Sequence, residues 1–113
     1  MNKVEAIIRP EKSTAVKDAL AEAGFVGLNE VPVTGRGAQK GVIHQGRSGQ
    51  PITRDMLPKI KLELVVPERD TNRVCDIIIG TARTGKIGDG KIFVTPVVNA
   101  IRVRTGEHGD DIL

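Results

Sequence analysis

Hydrophobic and polar positions alternate most cleanly at Ile60-Lys61-Leu62-Glu63-Leu64-Val65-Val66. Ile60, Leu62, Leu64 and Val66 fall on one face of a predicted strand, and Pro67 ends it. The β-branched run Val4-Glu5-Ala6-Ile7-Ile8, closed by Pro10, predicts a second strand. Between them, Val16, Ala19, Leu20 and Ala23 recur at helical spacing, with Ser13 as the expected N-cap and Gly24 as the stop. A second helix carries Val74, Ile77, Ile78 and Ala82 on its apolar stripe, capped by Asp70 or Thr71 and stopped by Gly85. Gly80 weakens that helix by about 1 kcal/mol relative to Ala. Residues 28–34 form a weaker strand, which Pro32 restricts to a sheet edge or a bulge. Lys91-Ile92-Phe93-Val94-Thr95 is a further strand closed by Pro96, and residues 100–105 a last extended run. From Gly35 to Pro58 the pattern disappears: Gly35, Gly37, Gly41, Gly46, Gly49, Pro51 and Pro58 predict a long exposed loop. Such long loops in compact domains usually carry function. The polar tail, 106–113, reads as mobile.

The two halves echo one another. After each strand comes proline, acid, base and helix cap, as Pro10-Glu11-Lys12-Ser13 and again as Pro67-Glu68-Arg69-Asp70-Thr71. Two such halves give β-α-β-β-α-β, an α+β ferredoxin-like sandwich with the long loop between its second and third strands. With 113 residues the chain is expected to form one domain. Its core is modest, so oligomerisation is an expected source of added stability. No stretch approaches the roughly 18 apolar residues of a membrane span, and the N-terminus lacks the marks of a signal peptide. One cysteine, Cys75, excludes an internal disulfide framework and suits a reducing cytoplasm.

Seventeen Lys and Arg against fourteen Asp and Glu give a net charge of +3, which suits a phosphate-bearing ligand. Phe25 and Phe93 are the only aromatic residues, too few for a base-stacking nucleic-acid platform. The densest candidate chemistry is Thr84-Gly85-Lys86-Ile87-Gly88-Asp89-Gly90-Lys91. Its glycines allow close backbone approach, and Lys86 and Lys91 add positive charge. The spacing is not that of a Walker A loop, and a plain connecting loop is the alternative. Arg102 and Arg104, two apart in an extended run, would share a face and form an anion clamp or a solvated edge. Gly35-Arg36-Gly37-Ala38-Gln39-Lys40-Gly41 is a second glycine-rich basic element, at the mouth of the long loop. His44 and His108 are isolated, Cys75 reads as a packing residue, and Asp110-Asp111 as a solvated end.

Together these segments resemble the PII signal-transduction family, the trimeric sensors of nitrogen status. The residues 84–94 match its C-terminal signature, and Ala6-Ile7-Ile8-Arg9-Pro10 its opening strand. Gly35-Arg36-Gly37 with Gln39-Lys40-Gly41 matches the base of its T-loop, Leu57-Pro58-Lys59 the loop's return, and residues 101–107 its end. The resemblance implies a homotrimer of ferredoxin-like subunits, with an exposed T-loop over 37–56 and a C-terminal tail over 106–113. ATP or ADP would bind in clefts between subunits. Gly35, Arg36, Gly37, Ala38 and Gln39 would face Ile87, Gly88, Asp89, Gly90 and Lys91, and Arg102 and Arg104 of a neighbouring subunit would meet the phosphates. Ile7, Asn29, Glu63 and Val65 would line the adenine side. Through a Mg2+ held by the phosphates and Gln39, 2-oxoglutarate would bind beside Lys40, Gly41 and Lys59.

The chain departs from the family at Ala38, where an Arg or Lys is usual, which puts the preference for ATP over ADP in question. The loop tip, 42–55, is one residue longer than usual and holds no tyrosine, so uridylylation there is chemically impossible. Ser48 is out of register with the position phosphorylated in some members. The expected function is a non-enzymatic cytoplasmic sensor acting on nitrogenase, an ammonium transporter or glutamine synthetase through the loop, with neither nucleic acid nor direct membrane insertion involved. Alternatives are an adenylate-only sensor that has lost its 2-oxoglutarate response and a ferredoxin-like enzyme of phosphate chemistry. The enzyme needs an Arg and an Asn aimed at one phosphoryl group, and Asn29, Asn72 and Asn99 are scattered. An RNA-binding domain on the same fold needs exposed aromatics on its central strands, and Phe93 stands alone there.

Overall fold

A computed structural model describes residues 1–37 and 56–113, and the backbone of 43–45 and 51–53. In chain order the elements are β1 (Asn2–Ile8), α1 (Ser13–Glu22), β2 (Asn29–Gly35), β3 (Ile43–Gln45), β4 (Pro51–Thr53), β5 (Leu57–Val66), α2 (Thr71–Ala82) and β6 (Lys91–Pro96). Four strands form one antiparallel sheet in the order β2-β5-β1-β6. This is the ferredoxin-like arrangement.

The register explains the core. Val4 lies opposite Leu64 and Ala6 opposite Leu62, so the apolar positions of β1 and β5 fall on the same face. Both helices lie against that face. Val16 and Leu20 of α1 and Val74, Ile78 and Ala82 of α2 complete one buried cluster with Val4, Ala6, Ile8, Leu62, Leu64 and Val66. Each such side chain contributes about 1.5–3 kcal/mol by leaving water, the alanines less.

Each helix is entered through a short 3-10 turn, Pro10–Lys12 before α1 and Glu68–Asp70 before α2. Ser13 therefore does not cap α1, and of the two candidates for α2 it is Asp70, not Thr71, that takes the N-cap position, without a side-chain bond. Ser13 and Thr71 are each the first helical residue, and the backbone N–H bonds back to the carbonyl of Pro10 or Glu68. Their freed hydroxyls tie helix to sheet instead. Ser13 Oγ donates to Glu30 on β2, and Asn2 Nδ2 at the start of β1 donates to Thr71 Oγ1 at 3.0 Å. The expected stop of α1 is present: the N–H of Gly24 bonds to Ala21 and that of Phe25 to Leu20.

Other expectations change. Pro32 does sit on an edge strand. But β5 begins at Leu57, not Ile60, because residues 57–59 pair only with β2 and leave Pro58 a side on which no N–H is needed. The glycine-rich segment holds a small antiparallel ribbon, with Ile43 opposite Thr53 and Gln45 opposite Pro51. The run 100–105 is not a strand. It belongs to a tight hairpin in which Ile101 bridges His108, the N–H of Arg102 bonds to Glu107 at 2.8 Å and the N–H of Gly106 to Arg102 at 2.8 Å. Gly106, at a φ of 74°, supplies the left-handed turn. The tail folds back through a bond from the N–H of Gly109 to Ala100 and ends in a 3-10 turn, Asp110–Ile112. Among the described residues no helix is long and apolar enough to cross a membrane.

Candidate functional site

At one end of the sheet, the last residues of β1 and β2 meet the first residues of β5 and β6. Antiparallel pairing dictates this: Ile7 lies opposite both Lys61 and Lys91, Val33 opposite Lys59, and Gly35 opposite Leu57. A cavity of about 380 Å3 opens there, lined by Ile7, Gly35, Arg36, Gly37, Leu57, Lys59, Ile87, Gly88, Gly90, Lys91 and Phe93. Among the described residues, the cations Arg36, Lys59 and Lys91 border it and no carboxylate does. Such a rim beside glycine backbone is suited to a multiply charged anion.

The turn between α2 and β6 is built by its own side chains. Asp89 accepts from the Thr84 hydroxyl at 2.5 Å and from the N–H groups of Thr84 and Gly85 at 2.9 Å each. Arg9, just beyond β1, donates through Nε to Asp89 at 3.2 Å and through Nη2 to the carbonyl of Ile87 at 2.8 Å. The Thr84 hydroxyl bond, then the two N–H groups and Arg9, hold the Asp89 carboxyl far below the usual carboxylate range. From the opposite side, Lys59 Nζ on β5 donates to the carbonyl of Gly88 at 2.5 Å. Gly90 lies directly on β1. A Cβ at this position would stand 1.8 Å from the Ile7 carbonyl oxygen, and its φ is 97°.

Of the residues singled out in the sequence, Ile7, Gly35, Arg36, Gly37, Lys59, Ile87, Gly88, Gly90 and Lys91 come together around this cavity. Asp89 does not line it. It borders a second cavity of about 270 Å3 with Ile78, Ile79 and Arg83. Asn29 and Glu63 face each other across β2 and β5, and Val65 lies two residues further along; none lines the first cavity. Arg102 and Arg104 also lie outside its lining. They do not share a strand face, since Arg102 is in the hairpin arm, paired with Glu107 at 3.2 Å, and Arg104 is in the turn. Ala38, Gln39, Lys40 and Gly41 fall outside the described residues. Among the described residues, no group of three or more His, Cys, Asp or Glu could hold a metal ion.

Sequence reasoning missed Leu57, Phe93 and Arg9. Alternation could have found the first two, since Leu57 shares the parity of Lys59 and Phe93 that of Lys91. No local signal marks Arg9, whose partner lies 80 residues away.

The family described as "Nitrogen regulatory protein P-II" matches residues 1–107. A "Nitrogen regulatory protein P-II" of Rhodobacter capsulatus is 50% identical over 111 residues, covering 98% of both chains. A "Nitrogen regulatory protein P-II 1" of Methanothermobacter thermautotrophicus is 49% identical over 113 residues, 100% of this chain and 97% of its own. Its namesake in Escherichia coli K12 is 49% identical over 110 residues, 97% of each. The fold, the glycine-rich turn and this likeness over nearly the whole chain agree, and the chain belongs to the nitrogen regulatory protein P-II family of signalling proteins.

Proposed function

We propose that residues 1–113 act as one non-enzymatic sensor domain, responding to ATP, ADP and 2-oxoglutarate and signalling to nitrogen-metabolism targets through the 37–56 loop. The observation that carries this reading is the convergence of Arg36, Lys59 and Lys91 with the Gly88–Gly90 backbone, where β2 runs out into that loop. The donor set fits nucleotide phosphates: Lys91 and Arg36 offer point and planar charge, and the glycine backbone can approach closely. A bound nucleotide supplies the negative charge that these groups are arranged to meet. Because Gly35, Arg36 and Gly37 belong both to the cavity and to the loop's root, occupancy of one biases the other. A ligand shifts the loop only by as much as its affinity differs between loop states.

Lys59 has two possible partners. One is the Gly88 carbonyl, to which it donates. A carboxylate such as that of 2-oxoglutarate would compete for it, beside a Mg2+ held by Gln39 and the phosphates. Arg102 and Arg104 would come to the phosphates from a neighbouring subunit of a homotrimer. The full exposure of Val98 and Val103 on the same C-terminal segment supports a partner copy there. Candidate targets are nitrogenase, an ammonium transporter and glutamine synthetase, met in the cytoplasm.

Ala38 favours a second reading, an adenylate sensor without a 2-oxoglutarate response. Calorimetric titration with MgATP, then with 2-oxoglutarate, separates the two. Nucleotide binding that tightens with 2-oxoglutarate supports the full sensor. Binding indifferent to 2-oxoglutarate supports the second reading. No nucleotide binding contradicts both.

A further inference from the structure

Arg9 lies outside the lining of the 380 Å3 cavity, yet it makes two bonds to the turn that forms one of its walls. Its contacts fall on Asp89 and on the carbonyl of Ile87, one residue to either side of Gly88. Lys59 holds the Gly88 carbonyl itself from β5. Gly88 is therefore held from two sides, by Arg9 just beyond β1 through its two neighbours and by Lys59 on β5 through its own carbonyl.

Asp89 has no capacity left for a ligand. Its Oδ1 accepts from Arg9 Nε and the Thr84 hydroxyl, and its Oδ2 from the N–H groups of Thr84 and Gly85. A carboxylate offers about four lone-pair sites, and all four are taken. Its charge is also matched by Arg9, so the turn presents no unbalanced negative charge to an incoming anion.

We infer that Arg9 and Asp89 are positioning residues: they fix the Gly88–Lys91 backbone as one wall of the anion site without touching the anion. This rests on the reading of the cavity as a phosphate site. Arginine is chemically apt because its planar fork engages two acceptors at once, whereas a lysine at this position reaches one.

The test uses the full chain with Arg9→Met, Arg9→Lys, Asp89→Asn and the double variant Arg9→Met/Asp89→Asn. Two quantities are read: amide exchange over residues 84–91 without ligand, and MgATP affinity by calorimetry. Losing a charge-assisted bond is expected to weaken MgATP binding by about tenfold or more in Arg9→Met and Asp89→Asn. Exchange at Gly85 and Lys86 rises in both. Arg9→Lys recovers part of the affinity, and the double variant is no weaker than the worse single one. Unchanged MgATP affinity in Arg9→Met overturns the inference, as do additive losses in the double variant. A loss of affinity that only follows a loss of folding, with no recovery in Arg9→Lys, overturns it as well. If the unaltered protein binds no MgATP, the nucleotide reading fails separately. Exchange alone then decides: faster exchange over 84–91 in Arg9→Met upholds the clamp, and unchanged exchange refutes it.

Discussion

Two glycine-containing basic segments lie at opposite states of completion. The turn 84–90 is finished within one chain: Thr84, Asp89, Arg9 and Lys59 bond its backbone, and Gly90 seats on β1. The C-terminal hairpin is held by a few backbone bonds and one exposed ion pair, and it leaves Val98 and Val103 wholly in solvent. The same residue types serve different ends. One segment is fixed by side chains of its own chain, while the other leaves the apolar Val98 and Val103 without cover from it.

Gly90→Ala should have the largest effect. The new Cβ would overlap a backbone carbonyl that cannot move aside cheaply, in a left-handed conformation, so a loss above about 3 kcal/mol is expected by chemical denaturation. Gly106→Ala meets open space and carries only the left-handed strain, about 1–2 kcal/mol. Equal losses at the two glycines would break the contrast.

Val103→Glu comes next. It should leave the unfolding midpoint of the isolated chain nearly unchanged, within about 0.5 kcal/mol, because the side chain touches little within its own subunit. On the proposed homotrimer, its effect should appear in sedimentation as a shift from trimer toward monomer. A variant that stays fully assembled would show that this face is not covered by a partner copy.

A smaller effect concerns acid. The Asp89 carboxyl, held by the Thr84 hydroxyl above all, ionises far below its unfolded value of about 3.9, so the stabilisation it gives the turn is complete above that pH and declines progressively as pH falls from there toward its own lower value. Exchange over 84–91 should accelerate below about pH 4 in the unaltered protein and should already be fast, with little pH dependence of protection, in Asp89→Asn. A turn indifferent to acid in the unaltered protein would contradict the clamp.

What could be read from the sequence follows physical locality. Alternation in β1 and β5 fixed the core face, because a period of two is written in neighbouring residues. The edge position of β2 was one of the two readings Pro32 allowed, because a proline has no N–H to give a central strand. The cations of the cavity were legible as types. Their meeting follows from strand pairing, which places Lys59, Lys91 and Gly35 at one sheet end. The ribbon of β3 and β4 was not legible, since three-residue strands among glycines and prolines carry no alternation. Arg102 and Arg104 were misplaced because a spacing of two implies a common face only in a strand, and Gly106 turns the chain instead. Ser13 looked like a cap because the 3-10 turn that satisfies the helix start in its place leaves no signature.

The most direct test of the account is amide exchange of the intact protein with and without saturating MgATP. Slowed exchange is expected in two places together, the turn 84–91 and the C-terminal segment 98–106, with the turn already the better protected before ligand is added. Protection confined to neither segment, or a turn no better protected than the hairpin in the absence of ligand, would contradict it.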